Sequence, residues 1–308
     1  MKHRTCVKKQ IRTFLLLVLV FVPLILLLQV IETNKYSNGT LRMEPIDCLH
    51  SNCQGARRVN KSSLAIAVSS SASHTARRNA IRETWGKIAL KHNITIFFVV
   101  GLYNDTEIKN MLQEETRQHN DIVEGQFYDE YENLSQKTQF LLEYFLNKTQ
   151  FDYLLKVDDD VFVNIKHLKN LLSTLNDTNI IYGTLFKKFK PVRDMESKYF
   201  ISAQLFQGDY YPDFARGPAY LLTHNSISDL LKESRHSKPF PLEDVYFTGI
   251  LAEKLNIKRS DVPYFLLDKV PARTRHPIDF IAIHHVGPSA MRSLSRRFPE
   301  ASLSSGSQ

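Results

Sequence analysis

The stretch YLLKVDDDVFVN, residues 153–164, decides how this chain is read. Its apolar half has the length and bulk of a buried β-strand, and it runs straight into Asp158, Asp159 and Asp160. Three adjacent carboxylates repel one another unless a cation neutralises them. In an extended turn alternate side chains point the same way, so Asp158 and Asp160 can face one ligand. Hard carboxylate oxygens suit Mn2+ or Mg2+, ions that keep substrate diphosphate oxygens in their shell. A solvated acidic loop, or a cap on the helix that follows, is the plainer alternative. The apolar strand before the acids and Lys156 beside them favour the metal.

Outward from this turn the chain alternates. Apolar runs at 63–69 (SLAIAVS), 94–100 (ITIFFVV) and 121–124 read as strands, and segments 76–90, 107–118 and 133–147 carry helical spacing. Further on, 166–175, 226–232 and 243–255 read as helices, 180–185 and 220–223 as strands. Such alternation predicts an α/β domain with a mixed, largely parallel sheet flanked by helices. Ligands of these sheets bind beyond the carboxyl ends of strands, where the aspartates fall.

The remaining sequence bounds where the domain works. The chain has 308 residues, 43% hydrophobic and 23% charged, a globular composition. Its net charge of +8 invites a nucleic-acid reading, but Lys2, Arg4, Lys8, Lys9 and Arg12 supply five of those charges, so no nucleic-acid partner is expected. They precede TFLLLVLVFVPLILLLQVI, residues 13–31, which has the length of a transmembrane helix and no small-residue cleavage site after it. Cations before the span and Glu32 after it make 1–12 a cytosolic tail and 13–31 a signal anchor. Residues 32–61 then read as a polar lumenal stem, 62–290 as the folded domain and 291–308 as a polar tail. N-x-S/T acceptors at Asn38, Asn60, Asn93, Asn104, Asn133, Asn147 and Asn176 fit a lumenal glycoprotein. Cys48 and Cys53 can pair in that compartment, and no cysteine follows them.

Four blocks in order resemble the animal β1,3-glycosyltransferase family: RNAIRETWG (78–86), DEYENLSQKT (129–138), KVDDDVFVN (156–164) and LEDVYFTG (242–249). The family patterns are R-x-x-I-R-x-T-W, D-x-Y-x-N-L-T-x-K-T, D-x-D and E-D-V-x-x-G. The last is met here with one extra residue before the glycine. The resemblance implies a GT-A type, Rossmann-like fold. It also implies inverting transfer of galactose or an N-acetylhexosamine from a UDP-sugar to the 3-hydroxyl of an acceptor sugar on a glycoprotein or glycolipid. The anchor and stem are similar to that family's Golgi, single-pass type II architecture, with which a homo-oligomer is compatible. YPDFARGPAY (211–220) departs from the family's Y-P-P-Y-x-x-G-x-G-Y-V at Pro218 and Ala219. IAIHHVG (281–287) offers His284 and His285 where the family has one histidine, and alignment on Gly287 selects His284.

Roles follow from chemistry and resemblance together. Asp160 is the first choice as metal ligand, with His284 as an imidazole ligand suited to Mn2+, while Asp158 and Asp159 support the donor or the metal shell. Arg78 and Arg82, four apart on one helix face, can reach uridine or phosphate oxygens or form a solvated face. Lys137 and Lys156 contact phosphate or neutralise the aspartates. Asp244, at a helix start after Pro241, is the candidate base for the acceptor hydroxyl and Glu243 the fallback, although acids there also serve as caps. Tyr210, Tyr211, Phe214 and Tyr220 offer either a sugar-stacking wall or core. Two other classes compete: a lumenal carbohydrate-binding module without catalysis, and a metal-dependent phosphoesterase.

Overall fold

The aspartates end the middle strand of a seven-stranded sheet. The computed structural model describes residues 64–269 and 280–299. Its strands are β1 (Leu64–Ser69), β2 (Thr95–Leu102), β3 (Ile122–Tyr128), β4 (Tyr153–Asp158), β5 (Phe162–Val163), β6 (Ile180–Phe186), β7 (Phe214–Thr223), β8 (Lys258–Asp261), β9 (Leu266–Leu267) and β10 (Ala282–Ile283). The helices are α1 (Thr75–Glu83), α2 (Trp85–Lys91), α3 (Thr106–His119), α4 (Leu134–Lys148), α5 (Ile165–Leu172), α6 (His224–Ser234) and α7 (Pro288–Arg297), with a π-helix at Val245–Leu251. The large sheet runs β3-β2-β1-β4-β7-β6-β8. It is parallel from β3 to β4, and β7 is antiparallel to both its neighbours. The expected anchor, stem, Cys48–Cys53 pair and the acceptors Asn38 and Asn60 lie outside the described residues, among which no helix is long and apolar enough to cross a membrane.

Successive strand residues face opposite ways, which splits the interior in two. Ile66, Val68, Phe98, Val100, Leu155 and Val157 enter one core beneath α1, α2 and α7; Ala65, Ala67, Phe97, Val99 and Leu154 enter the other beneath α4 and α6. Burial on both faces is why these strands read as unbroken apolar runs. β1 has β2 on one side and β4 on the other, so the chain leaves it in opposite directions. The crevice beyond their carboxyl ends is the usual ligand site of such a sheet.

Several expectations are corrected. The helix foreseen at 76–90 breaks at Thr84 (φ −114°, ψ −115°), whose hydroxyl donates to Ala80 O at 2.5 Å. The break turns Trp85 inward, where Nε1 donates to Val161 O at 3.1 Å and pins the residue after the aspartates. The segment foreseen as a polar tail from 291 begins inside α7, where Met291 and Leu294 are buried; only two apolar residues face inward, too few to stand out from the polar background. β7 is longer than the foreseen 220–223, because Gly217 and Pro218 disguise its first half.

Arg78 and Arg82 are the larger correction. Arg78 is wholly buried, and its Nε and Nη2 donate to Glu115 at 2.8 and 2.7 Å. Its remaining donors go to Ser70 Oγ, Thr75 Oγ1 and the carbonyls of Ser71 and Ala72. Arg82 pairs with Glu115 and Asp121, both at 2.7 Å. Neither presents a free fork to a ligand; together they clamp α1, α3 and the loop after β1. Arg78→Met should lower the unfolding free energy by about 3–5 kcal/mol, the usual consequence of breaking a buried pair, as read by urea denaturation. Burial alone would raise the pKa of Glu115, but Arg78, Arg82 and Thr75 hold it at about 2, below its ordinary 4.5. A depressed folded value means stabilisation present above pH 4.5 and lost as the pH falls towards 2. Glu115→Gln should flatten the stability profile across that window.

Candidate active site

Beyond the carboxyl ends of β1 and β4, the three aspartates take three different environments. Asp158 faces Lys156, whose buried ammonium donates to Asp158 Oδ1 at 2.8 Å, Gly217 O at 2.7 Å and Glu243 Oε1 at 3.1 Å. Burial alone would lower the pKa of Lys156, but the two carboxylates hold it above its ordinary value. Lys156 thus neutralises acids and has no donor left to aim at phosphate.

Asp159 is satisfied by the loop that follows β1. Ser70 Oγ donates to Oδ2 at 2.7 Å, His74 Nδ1 lies 2.8 Å from the same oxygen, and Arg77 Nη1 donates to Oδ1 at 2.8 Å. Burial would raise its pKa, yet these partners hold it below the usual carboxylate range. Its carboxylate ties two loops together, a role unlike the donor contact foreseen for it. Lys137, also foreseen at phosphate, is buried and donates to Ser70 O at 2.5 Å and Asp129 Oδ1 at 2.6 Å, bracing the same loop. Burial pushes its pKa down, and Asp129 only partly opposes this.

Asp160 is left facing outward. A second sheet, β5-β10-β9, delivers its partners: β5 follows Asp160, β10 precedes His284, and Val286 N donates to Asp160 O at 2.8 Å. His284 Nε2 lies 3.4 Å from Asp160 Oδ1, long for a hydrogen bond but within the roughly 3.0–3.4 Å between neighbouring ligands of one ion at ordinary bond lengths. His285 stacks on His284, with ring centroids 3.7 Å apart. Ligand atoms of Asp160, His284 and His285 lie within 4.8 Å of one another, so the choice between the histidines widens to both. One carboxylate and two imidazoles suit Mn2+ better than Mg2+, which prefers oxygen. Burial would raise the pKa of Asp160, but His284 and Arg77 hold it low, keeping an anion ready for a cation.

Glu243 and Asp244 differ as sharply. Glu243 is buried, taking hydrogen bonds from Lys156, from Tyr220 OH at 3.0 Å and from Thr138 Oγ1 at 3.2 Å. It is the counterion of Lys156. Asp244 begins the π-helix and accepts only backbone N–H groups, from Gly217 at 3.0 Å and Val245 at 2.8 Å. Burial, then the charge of Glu243, lifts its pKa to about 7. Gly217 permits this approach: a Cβ there would come within 3.1 Å of Asp244 Oδ2 and 3.3 Å of Glu243 Oε1. The extra residue in LEDVYFTG is taken up by π-winding, with Thr248 Oγ1 donating to Asp244 O at 2.6 Å and accepting from Ala215 N at 2.9 Å.

Three residues of this site escaped the sequence reading: Ser70, His74 and Arg77. A polar loop directly after a buried strand was the available signal, since such loops carry ligand contacts. The suggested aromatic wall dissolves, because Tyr211, Phe214 and Tyr220 are core and only Tyr210 is exposed. A separate cavity lined by Tyr210, Tyr211, Asp213, Glu253 and Arg259 among others shares no residue with the aspartate cluster.

Known proteins resemble this one in a consistent way. The Galactosyltransferase family model matches residues 76–263. The chain is 32% identical over 203 residues to Beta-1,3-galactosyltransferase 5 of Gorilla gorilla gorilla, covering 65% of this chain and 68% of the relative. It is 29% identical over 254 residues to N-acetyllactosaminide beta-1,3-N-acetylglucosaminyltransferase 2 of Homo sapiens, covering 78% and 64%. The galactosyltransferase LgtC, solved with donor and acceptor sugar analogues, is 12% identical with a TM-score of 0.40, covering 78% of this chain and 98% of that one. The family match spans more than half of the sequence and takes in both the aspartate turn and the Glu243–Asp244 helix start, so the chain belongs to the Galactosyltransferase family.

Proposed function

We propose that this chain moves galactose or an N-acetylhexosamine from a UDP-sugar to the 3-hydroxyl of an acceptor sugar on a glycoprotein or glycolipid, with inversion. The observation that carries the reading is a division of labour about Lys156. On one side Asp160 and His284 form a low-pKa anion beside an imidazole; on the other, Asp244 is held near neutrality. The linkage is supported by relatives whose names specify β1,3 transfer of galactose or N-acetylglucosamine.

In this reading Asp160, with His284 and His285, would hold Mn2+ or Mg2+, which when bound offsets charge on the diphosphate leaving group. Arg77, about a third exposed between Asp159 and Asp160, faces the same place and can hydrogen-bond phosphate oxygens. Asp244 accepts the proton of the acceptor hydroxyl as it attacks the anomeric carbon. A two-metal phosphoesterase would need several free carboxylates, but Asp158 and Asp159 already have cationic protein partners. A binding module has no use for a carboxylate poised near pH 7. The GT-A type assignment, the type II Golgi topology with an anchor at 13–31, the stem at 32–61 and the transferase domain at 62–290 belong to the same proposal, supported by the sequence pattern.

The full chain should transfer sugar from one of UDP-galactose, UDP-N-acetylglucosamine or UDP-N-acetylgalactosamine when Mn2+ is present. UDP should compete where inorganic phosphate does not; the reverse pattern would sink the transferase reading in favour of a phosphoesterase. Asp160→Asn should abolish metal-dependent transfer in a protein that still melts cooperatively, and undiminished wild-type turnover in excess chelator would remove the metal from the mechanism.

Asp244 should imprint its titration on the rate. With a pKa of about 7, kcat should fall about tenfold per pH unit on the acid side and level off above neutrality. Asp244→Asn should lower kcat by about 10²–10⁴-fold, abolish that acid limb and leave UDP affinity unchanged by calorimetry. Glu243→Gln should lower stability, by leaving Lys156 with a single carboxylate, and move the acid limb to lower pH, by removing a charge that helps raise Asp244.

A further inference from the structure

Two exposed tyrosines stand out near the start of α4. Tyr131 and Tyr199 are 36% and 46% exposed, their ring centroids are 6.2 Å apart, and their planes meet at 73°. They come from segments far apart in sequence. Tyr131 opens a one-turn 3₁₀ helix, Tyr131–Asn133, ahead of α4. That end of α4 is fastened to the Asp244 segment, because Ser135 Oγ donates to Phe240 O at 2.5 Å and Thr138 Oγ1 to Glu243. Tyr199 sits in a loop held by Ile201 N donating to Val192 O at 2.9 Å and Arg193 Nη1 donating to Ile201 O at 2.7 Å. Burial, then Tyr199, then Asp244 and Glu243, raises the pKa of the Tyr131 phenol, which puts Tyr131 within electrostatic reach of the proposed base, with Tyr199 packed against its ring.

Lys198 shows what these rings attract. Its ammonium lies 4.8 Å from the centroid of Tyr199 and 5.8 Å from that of Tyr131. A ring face draws positive charge through its quadrupole. The C–H face of a pyranose carries partial positive charge on its hydrogens and answers the same field more weakly, while adding apolar contact area. Lys198 is exposed on a long flexible stem, so it can swing aside and donate to sugar hydroxyls.

We propose that Tyr131 and Tyr199 form the acceptor site: the acceptor saccharide lays its C–H face on one of these rings and packs its edge against the other, with Lys198 beside it, and so presents its hydroxyl to Asp244. This rests on the transferase reading above and adds to it the residues that hold the acceptor.

The test uses the full chain with methyl β-galactoside, methyl β-N-acetylglucosaminide and N-acetyllactosamine as acceptor probes. Tyr131→Ala and Tyr199→Ala should each raise the acceptor KM on the order of 3–10-fold, with kcat and UDP affinity nearly unchanged. The phenylalanine variants keep the ring and should restore the wild-type KM. An unchanged acceptor KM in the double alanine variant overturns the proposal, as does a parallel loss of UDP affinity, which would move the pair to the donor side. Saturation-transfer NMR of the same saccharides reads the acceptor site without turnover. If wild-type protein transfers to none of the probes, the transferase reading fails. The acceptor site fails separately if no probe binds, or if the double variant binds as wild type does.

Discussion

A lysine ammonium buried beneath the site constrains nearly everything around it. Lys156 lies on the middle strand of the sheet, and a cation there is tolerable only with its donors fully used. Its three acceptors come from its own strand, from Gly217 on β7 and from Glu243 at the start of the π-helix. That requirement joins the parallel half of the sheet to the antiparallel half. Gly217 suits this junction, since a Cβ there would press on both carboxylates, at 3.1 and 3.3 Å. Burial raises the pKa of Asp244, and the charge of Glu243, held in place by Lys156, adds to it. One desolvated cation thus holds the two halves of the crevice together and keeps Glu243 beside Asp244.

The three aspartates are chemically distinct for the same reason. Asp158 answers Lys156, Asp159 answers Arg77 with His74 and Ser70, and Asp160 meets the histidines. Alternation in an extended turn suggested that Asp158 and Asp160 would act together, but the nearby cations sort them differently. Two of the acids are absorbed into the scaffold. That leaves one carboxylate, Asp160, for the proposed metal, too little charge for more than a single divalent ion.

What could be read beforehand follows from how each feature is encoded. β1, β2 and β4 were legible because a strand covered on both faces is a continuous apolar run, and α4 because its apolar face repeats over four turns. The small sheet was not, since strands of two residues have no period to detect, yet it is what carries His284 to Asp160. The metal candidates and the acid pair were visible as clustered chemistry in a recognisable order. The functions of Arg78, Arg82, Lys137 and Lys156 were not, because a basic residue looks the same in sequence whether it awaits a phosphate or already holds a carboxylate. Only the partners at Glu115, Asp129 and Glu243, each more than thirty residues away or on another element, separate the two cases. Arg77 was hidden by its neighbour, since adjacent helical residues point about 100° apart and only one of two arginines could match the family block.

The π-wound turn after Asp244 has a consequence for how length can vary at this position. In an α-helix an added residue swings everything beyond it by about 100° and would face Gly249 away from Phe214. Here Asp244 is fastened at one end by Gly217 and Val245, and Gly249 at the other by its close fit on β7. The i→i+5 winding widens the coil between these two fixed ends and takes up the additional residue as girth instead of rotation. Both ends stay fastened, so the added residue costs neither the backbone bonds that hold the Asp244 carboxylate nor the close fit of Gly249.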